Sequence, residues 1–168
     1  MRQAAVKQAL EHLFEKGDDQ LFFGSLRTDV DLLSLHPEQV QIFRLWQIYL
    51  DNVNPLLKVT HGPTLQTRII NAAGNMASVS PVLEALMFSI YCVSTLTLSE
   101  DECRTLYGLE KSDLLAGYQF GCQQALLRCG ILQTDDRDCL TALYLYLVSL
   151  SSYCLAYVFL TLPGLRQT

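Results

Sequence analysis

The feature that most constrains the fold is a helix with no polar face. Ser80 and Pro81 precede Val82, Leu83, Leu86, Met87, Phe88, Ile90, Tyr91 and Val93, and Glu84 is the only charge among them. Serine followed by proline is the N-cap and first-turn pair that opens a helix. A helix that is apolar all round has to be central and buried. The rest of the chain supplies helical patterns to surround it, and no strand alternation persists anywhere.

Residues 3–16 read as an amphipathic helix with Ala5, Ala9, Leu10, Leu13 and Phe14 near one face, ended by Gly17-Asp18-Asp19. A mixed loop holding Leu21-Phe22-Phe23-Gly24 follows to residue 36. His36-Pro37 is expected to open the next helix with proline in its first turn, and Glu38 would complement the dipole. Val40, Phe43, Trp46 and Leu50 repeat at helical spacing. Asp51 to Pro55 is expected to break it, because a residue before proline disfavours the α region. Gly62-Pro63 opens a helix to about Ala73, closed by Gly74-Asn75. Ser99-Glu100-Asp101-Glu102 is a capping box for a short helix to about Tyr107. Ser112-Asp113 starts a long helix with Leu114, Tyr118, Cys122, Ala125 and Cys129 on one face, stopped by Gly130. Thr134-Asp135-Asp136 caps a last helix. The reading is all-α: stacked antiparallel helix pairs in a helical-solenoid-like bundle, although no sequence repeat is visible.

Composition narrows the function. At 168 residues the chain is long enough for one domain with a real core. Only 17% of residues are charged, against a usual share of about a quarter. Mean hydropathy is +0.21, high for a monomeric soluble domain, so part of the surface should be covered by something else or lie in a membrane. The net charge is −5 and the twelve basic residues form no run or stripe, so the chain alone is a poor nucleic-acid binder. The six cysteines, Cys92, Cys103, Cys122, Cys129, Cys139 and Cys154, include no CxxC pair. The opening residues Arg2, Lys7, Glu11, Glu15 and Lys16 leave no apolar signal core. The thiols therefore read as free and reduced in a helical core. Cys122 and Cys129 share a helix face but stand about 10 Å apart along its axis, too far for one zinc ion.

Several motifs in order carry a family resemblance. The run from Leu45 to Thr64 has the pattern LWxxYLxNVxPLxKxxHxPT. It resembles the opening of the fungal-specific regulatory (middle homology) domain of binuclear zinc-cluster transcription factors. Ser80 to Tyr91 looks like that family's SPxLEALxFAIY helix, and Leu98 to Cys103 like its LSxEEC turn. Leu114 to Leu126 looks like LLxxYxxGxxQAL, and Leu140 to Leu147 like LQALxLYL. The likeness covers about residues 32–150, with an N-terminal helix and loop before it (1–31) and a divergent apolar tail after it (151–168). The family's DNA-binding element is an N-terminal six-cysteine cluster holding two zinc ions, and these residues hold no such cluster. DNA binding and zinc therefore carry over to no residue here, and no cofactor is expected in this chain.

The resemblance implies a nuclear regulatory domain, incomplete and without its own DNA-binding module. It would act through protein partners or a homodimer, and through a small-molecule effector. Two further readings stand beside it: a helical ligand-binding protein or small enzyme recruited to a biosynthetic pathway, and a tail-anchored membrane protein. Leu140 to Leu162 holds 23 residues without a charge, long enough to span a bilayer. Ser149, Ser151 and Ser152 interrupt that run, and its first half matches the family's core helix, so a membrane partner is disfavoured. A buried last helix and a frame that departs from the family after about Leu150 are the competing accounts of the tail.

Catalytic chemistry is absent from the motifs. The histidines His12, His36 and His61 look isolated, and there is no H-E-x-x-H or phosphate-cradling glycine loop. Ser80, Ser99 and Ser112 read as caps. Trp46, Tyr49, Phe88 and Tyr91 read first as core. The second reading makes them the lining of an inter-helix effector pocket, with Asn52, Asn54, Lys58 and His61 supplying polar contacts at its mouth.

Overall fold

The computed structural model describes residues 30–161, with side chains to Ser151. The helix expected over residues 3–16 and the Leu21–Gly24 loop lie outside the described residues. A 3-10 turn at Leu32–Leu35 leads into α1 (Gln39–Ile48), which continues through a π turn (Tyr49–Val53) into α2 (Asn54–Leu57). Then follow α3 (Gly62–Gly74), a 3-10 turn (Met76–Ser78), α4 (Pro81–Leu96), α5 (Glu100–Tyr107), α6 (Lys111–Arg128) and α7 (Arg137–Thr161). No strand occurs among the described residues, so the all-α reading holds.

Helix α4 is the hub. From Leu83 to Thr95 every residue is buried, and α4 packs most extensively against α6 and α7, then α1 and the π turn. Its chain neighbour α5 packs on α6 instead. The hydroxyls that α4 brings into this core find partners within it. Ser89 donates to the Leu86 carbonyl and Thr95 to that of Tyr91. Ser94 donates to the Leu45 carbonyl at 3.0 Å, tying α4 to α1. Lys111 donates to the carbonyls of Leu96 and Leu98, a cation at the C-terminal end of α4 where the helix dipole favours one.

Two caps and one helix stop read from the sequence are in place. Ser80 accepts from Leu83 N–H. Ser99 and Glu102 form a full capping box, and hydrogen bonds from Ser99 hold the Glu102 carboxyl below its usual range. Gly130, at φ +64, ends α6 in a Schellman motif: Ile131 N–H reaches the Leu126 carbonyl and Gly130 N–H that of Leu127.

Three expectations need correction. Pro37 lies before the helix rather than in its first turn, and Glu38 is the N-cap, paired with Gln41 in a capping box. Helix α6 begins at Lys111, with Glu110 as its cap, rather than at Ser112. The chain does not break between Asp51 and Pro55. Proline cannot donate an N–H, and its ring crowds the carbonyl four residues back. The π turn absorbs both demands by widening the ladder, so that Asn54 N–H reaches the Tyr49 carbonyl five residues back. Helical structure then continues to Leu57, and Lys58 ends it at φ 51.

Gly121 lets α6 approach α4: a Cβ there would lie 2.6 Å from the Phe88 ring, which is fully buried. Gly117, one turn earlier, has nothing within 4 Å of a built Cβ. Gly121→Ala is expected to lower stability by about 1–2 kcal/mol, the overpacking cost less the helix-propensity gain. Gly117→Ala is expected to raise it by about 0.5–1 kcal/mol. Urea unfolding of the two variants checks the opposite signs.

Candidate functional site

Burying α4 leaves its one carboxylate inside the protein, and a buried charge needs a partner. The partner of Glu84 is His36, whose Nε2 lies 3.5 Å from Glu84 Oε1, with side chains 2% and 11% exposed respectively. That is ion-pair distance without hydrogen-bond alignment. On its other side His36 Nδ1 meets the Tyr91 hydroxyl at 3.3 Å. The imidazole lies over Phe88, with ring centroids 4.2 Å apart, and edge-on to Tyr91. Tyr91 also faces Tyr118 at 5.3 Å. Burial, then the neighbouring Tyr118 and Glu84, pushes the Tyr91 phenol well above its ordinary range. Burial likewise raises Tyr118. His36 is therefore not isolated. It closes a buried His–Glu–Tyr group with two further aromatic rings, and the signal for it in the sequence was the lone charge of an otherwise apolar helix.

The eight residues read as an effector site fall into separate settings. Phe88 and Tyr91 belong to the His36 group. Trp46 and Tyr49 stack at 5.5 Å on α1 and the π turn, both buried in the core. The Tyr49 hydroxyl meets Thr60 Oγ1 at 2.9 Å, and Thr60 donates to Asn54 Oδ1 at 3.3 Å. This pins the loop after α2 to the π turn. Burial raises the Tyr49 phenol, partly offset by that hydrogen bond. Asn52 donates to Thr97 Oγ1 at 3.0 Å, tying the turn to the end of α4. Lys58 is exposed in its left-handed turn. His61 is exposed and bonds Thr64 at 2.8 Å.

Two cavities adjoin these groups. One of about 130 Å³ lies between α3 and α7, lined by His61, Thr64, Arg68, Leu86 and Arg137 among others, beside the Arg68–Asp138 ion pair. The other, about 260 Å³, lies between the Leu32–Leu35 turn, α5 and α6, and is lined by Leu35, Gln41, Tyr107, Asp113 and Tyr118 among others. Tyr107 turns a buried hydroxyl without a hydrogen-bond partner, and burial pushes its phenol up to about 12. Of the eight residues, only His61 lines either cavity. Among the described residues no cluster of His, Cys, Asp or Glu could hold a metal ion, and no helix is long and apolar enough to cross a membrane.

The surface of α7 carries a different feature. Leu140, Tyr144, Leu147 and Leu150 are each 40–50% exposed. The first three recur at the i, i+4, i+7 spacing of a single helix face.

Comparison with known proteins gives the family context. The chain is 60% identical over 151 residues to the transcriptional regulator AacuB of Aspergillus aculeatus, covering 89% of this chain and 21% of that protein. It is 56% identical over 137 residues to the transcriptional regulator nsrM of Aspergillus novofumigatus, covering 82% and 19%. It is 41% identical over 118 residues to the pyriculol/pyriculariol biosynthesis cluster transcription factor 1 of Pyricularia oryzae, covering 70% and 16%. The chain is thus a homologue of fungal transcription regulators and spans about a fifth of the length of these relatives. No protein-family model matches it, and no solved structure matches it.

The His36–Glu84 pair generates a stability prediction. His36→Leu strands Glu84 in the core and is expected to cost about 3 kcal/mol. Adding Glu84→Leu should recover most of that loss. A double-mutant cycle by urea unfolding checks this, and strict additivity of the two changes would refute the pairing.

Proposed function

We propose that this chain is a segment of the regulatory domain of a fungal zinc-cluster transcription factor, working in the nucleus on a set of biosynthetic genes. The observation that carries the reading is the 60% identity over most of the chain to a transcriptional regulator. The ordered motifs from Leu45 to Leu147 and the name of the Pyricularia relative support it. The role proposed for these residues is regulation rather than DNA contact. They hold no six-cysteine cluster and no basic stripe, so neither DNA nor zinc is assigned to them.

Protein contact is the mechanism proposed. The exposed stripe of Leu140, Tyr144 and Leu147 is an amphipathic helix face of the kind that seats against a partner. The relatives are about five times as long as the matched segment, so the occupant proposed is the remainder of the regulator or a second copy of it. An effector of this domain would enter at the cavity beside His61, where Arg68 and Arg137 offer cationic contacts. Occupancy would shift the packing of α3 against α7 and so act on a two-state helix arrangement.

Deleting the coding gene in its host and sequencing transcripts tests the reading. The expected result is a coordinated loss of transcripts from one group of biosynthetic genes, and an unchanged transcript profile would overturn it. Restoring the gene with Leu140→Glu and Leu147→Glu together is expected to leave those genes silent while the protein keeps its helical signal.

A further inference from the structure

Two thiols meet at the turn between α6 and α7. Cys129 is the C-cap of α6 and Cys139 lies in the first turn of α7. Their Sγ atoms are 2.7 Å apart, and neither is in a disulfide. A disulfide bond is about 2.05 Å long, so a side-chain adjustment of under an ångström separates this pair from a bond. We infer that Cys129 and Cys139 form a site of reversible oxidation, closing an intramolecular disulfide across the α6–α7 turn when the chain meets hydrogen peroxide.

The surroundings divide the roles. Cys139 is fully buried, and its thiol is pushed up to about 12, first by burial and then by the contact with Cys129. It stays protonated and out of reach of solvent. Cys129 is only partly buried, and its sulfur also lies 3.2 Å from the Leu126 carbonyl. Cys92, Cys103 and Cys122 are wholly buried, so Cys129 is the entry point among the described residues.

The step balances without a further reagent. The Cys129 thiolate attacks one peroxide oxygen, the O–O bond breaks, and hydroxide leaves to take up the thiol proton as water. The sulfenic acid so formed is attacked by the Cys139 sulfur. The S–O bond breaks as the S–S bond forms, and the hydroxyl departs with the Cys139 proton as a second water. Two thiols lose two electrons and peroxide gains them.

The turn itself keeps the sulfurs together. On one side, the Schellman bonds of Ile131 and Gly130 fix the end of α6, and Gln133 N–H reaches the Gly130 carbonyl at 2.8 Å. On the other, Asp136 Oδ1 accepts from the N–H groups of Asp138 and Cys139. With both flanks fixed, little chain entropy opposes the second step. In a reducing compartment such a bond is transient, as expected of a regulatory rather than a structural disulfide.

The test uses the full chain, purified reduced, treated with hydrogen peroxide, alkylated and digested with trypsin. Cleavage after Arg128 and Arg137 separates Cys129 from Cys139. The expected product joins peptides 129–137 and 138–166 and is lighter than their sum by two hydrogens. It should be released by dithiothreitol and persist in Cys154→Ser, which removes the other thiol of the second peptide. Cys129→Ser, at a partly exposed position, should abolish it without loss of fold, and Cys139→Ala gives a second check. Separate alkylation of both thiols after treatment, Cys129 ending as a sulfinic acid beside a free Cys139, or a bond from Cys129 to any other cysteine would each overturn the inference.

Discussion

Everything in this structure depends on surrounding α4 completely. A helix buried on all sides removes a large apolar area from water, at roughly 25 cal/mol for each square ångström. It also makes a polar group of that helix costly unless it is answered. Ser89, Ser94 and Thr95 are answered by helix carbonyls. Glu84 is answered from outside the helix by His36, just ahead of the α1 cap. Close approach of the neighbours then fixes small details elsewhere: Gly121 has no Cβ because the Phe88 ring already fills that space. One sequence choice, an apolar helix with a single carboxylate, thus dictates a histidine 48 positions upstream and a glycine 37 positions downstream of it.

Features governed by neighbours in the chain were mostly readable in the sequence, with the starts of α1 and α6 misplaced by a residue or two, and those governed by distant contacts were not. Ser80-Pro81, the Ser99–Glu102 box and Gly130 each act within a few residues, and each was legible. Pro55 looked like a breaker because the local rule considers only how proline restricts the residue before it. The packing of Leu45, Trp46, Tyr49 and Val53 against α4 overrides that rule, and the π turn is the compromise. Its extra residue also resets the helix phase. Without the insertion the inward positions after Tyr49 would fall near residues 53 and 56. With it Val53 stays buried and the next inward position moves to Leu57, which packs on the core, while Leu56 is left 82% exposed.

The same distinction applies to the candidate site. Trp46, Tyr49, Phe88 and Tyr91 are core aromatics, as their spacing first suggested. Asn52 and Asn54 have the chemistry of ligand contacts but are occupied in bracing the π turn to Thr97 and Thr60. Residue type and spacing do not distinguish an asparagine that meets a ligand from one that braces a turn, because the distinguishing partner lies six or forty-five residues away. The His36 group was missed for a related reason. An isolated histidine carries no pattern, and only the question of what faces the buried Glu84 leads to it.

A close-packed hub also determines how such a domain can respond. Interiors at crystal-like density do not deform continuously, so a displacement at one contact is passed on or resisted as a whole. Helices α6 and α7 make the two largest contacts with α4 and are joined by a single short turn. Whatever restrains that turn restrains both large faces of the hub at once. The apolar stripe of α7 is a further face of one of those helices, so the occupant proposed for it would act on the same contact from the solvent side. The regulation proposed for this fold would therefore require neither a deep pocket nor a reactive centre. It would require only that a partner, an effector or a covalent clasp favour one packing of α7 against α4 over another.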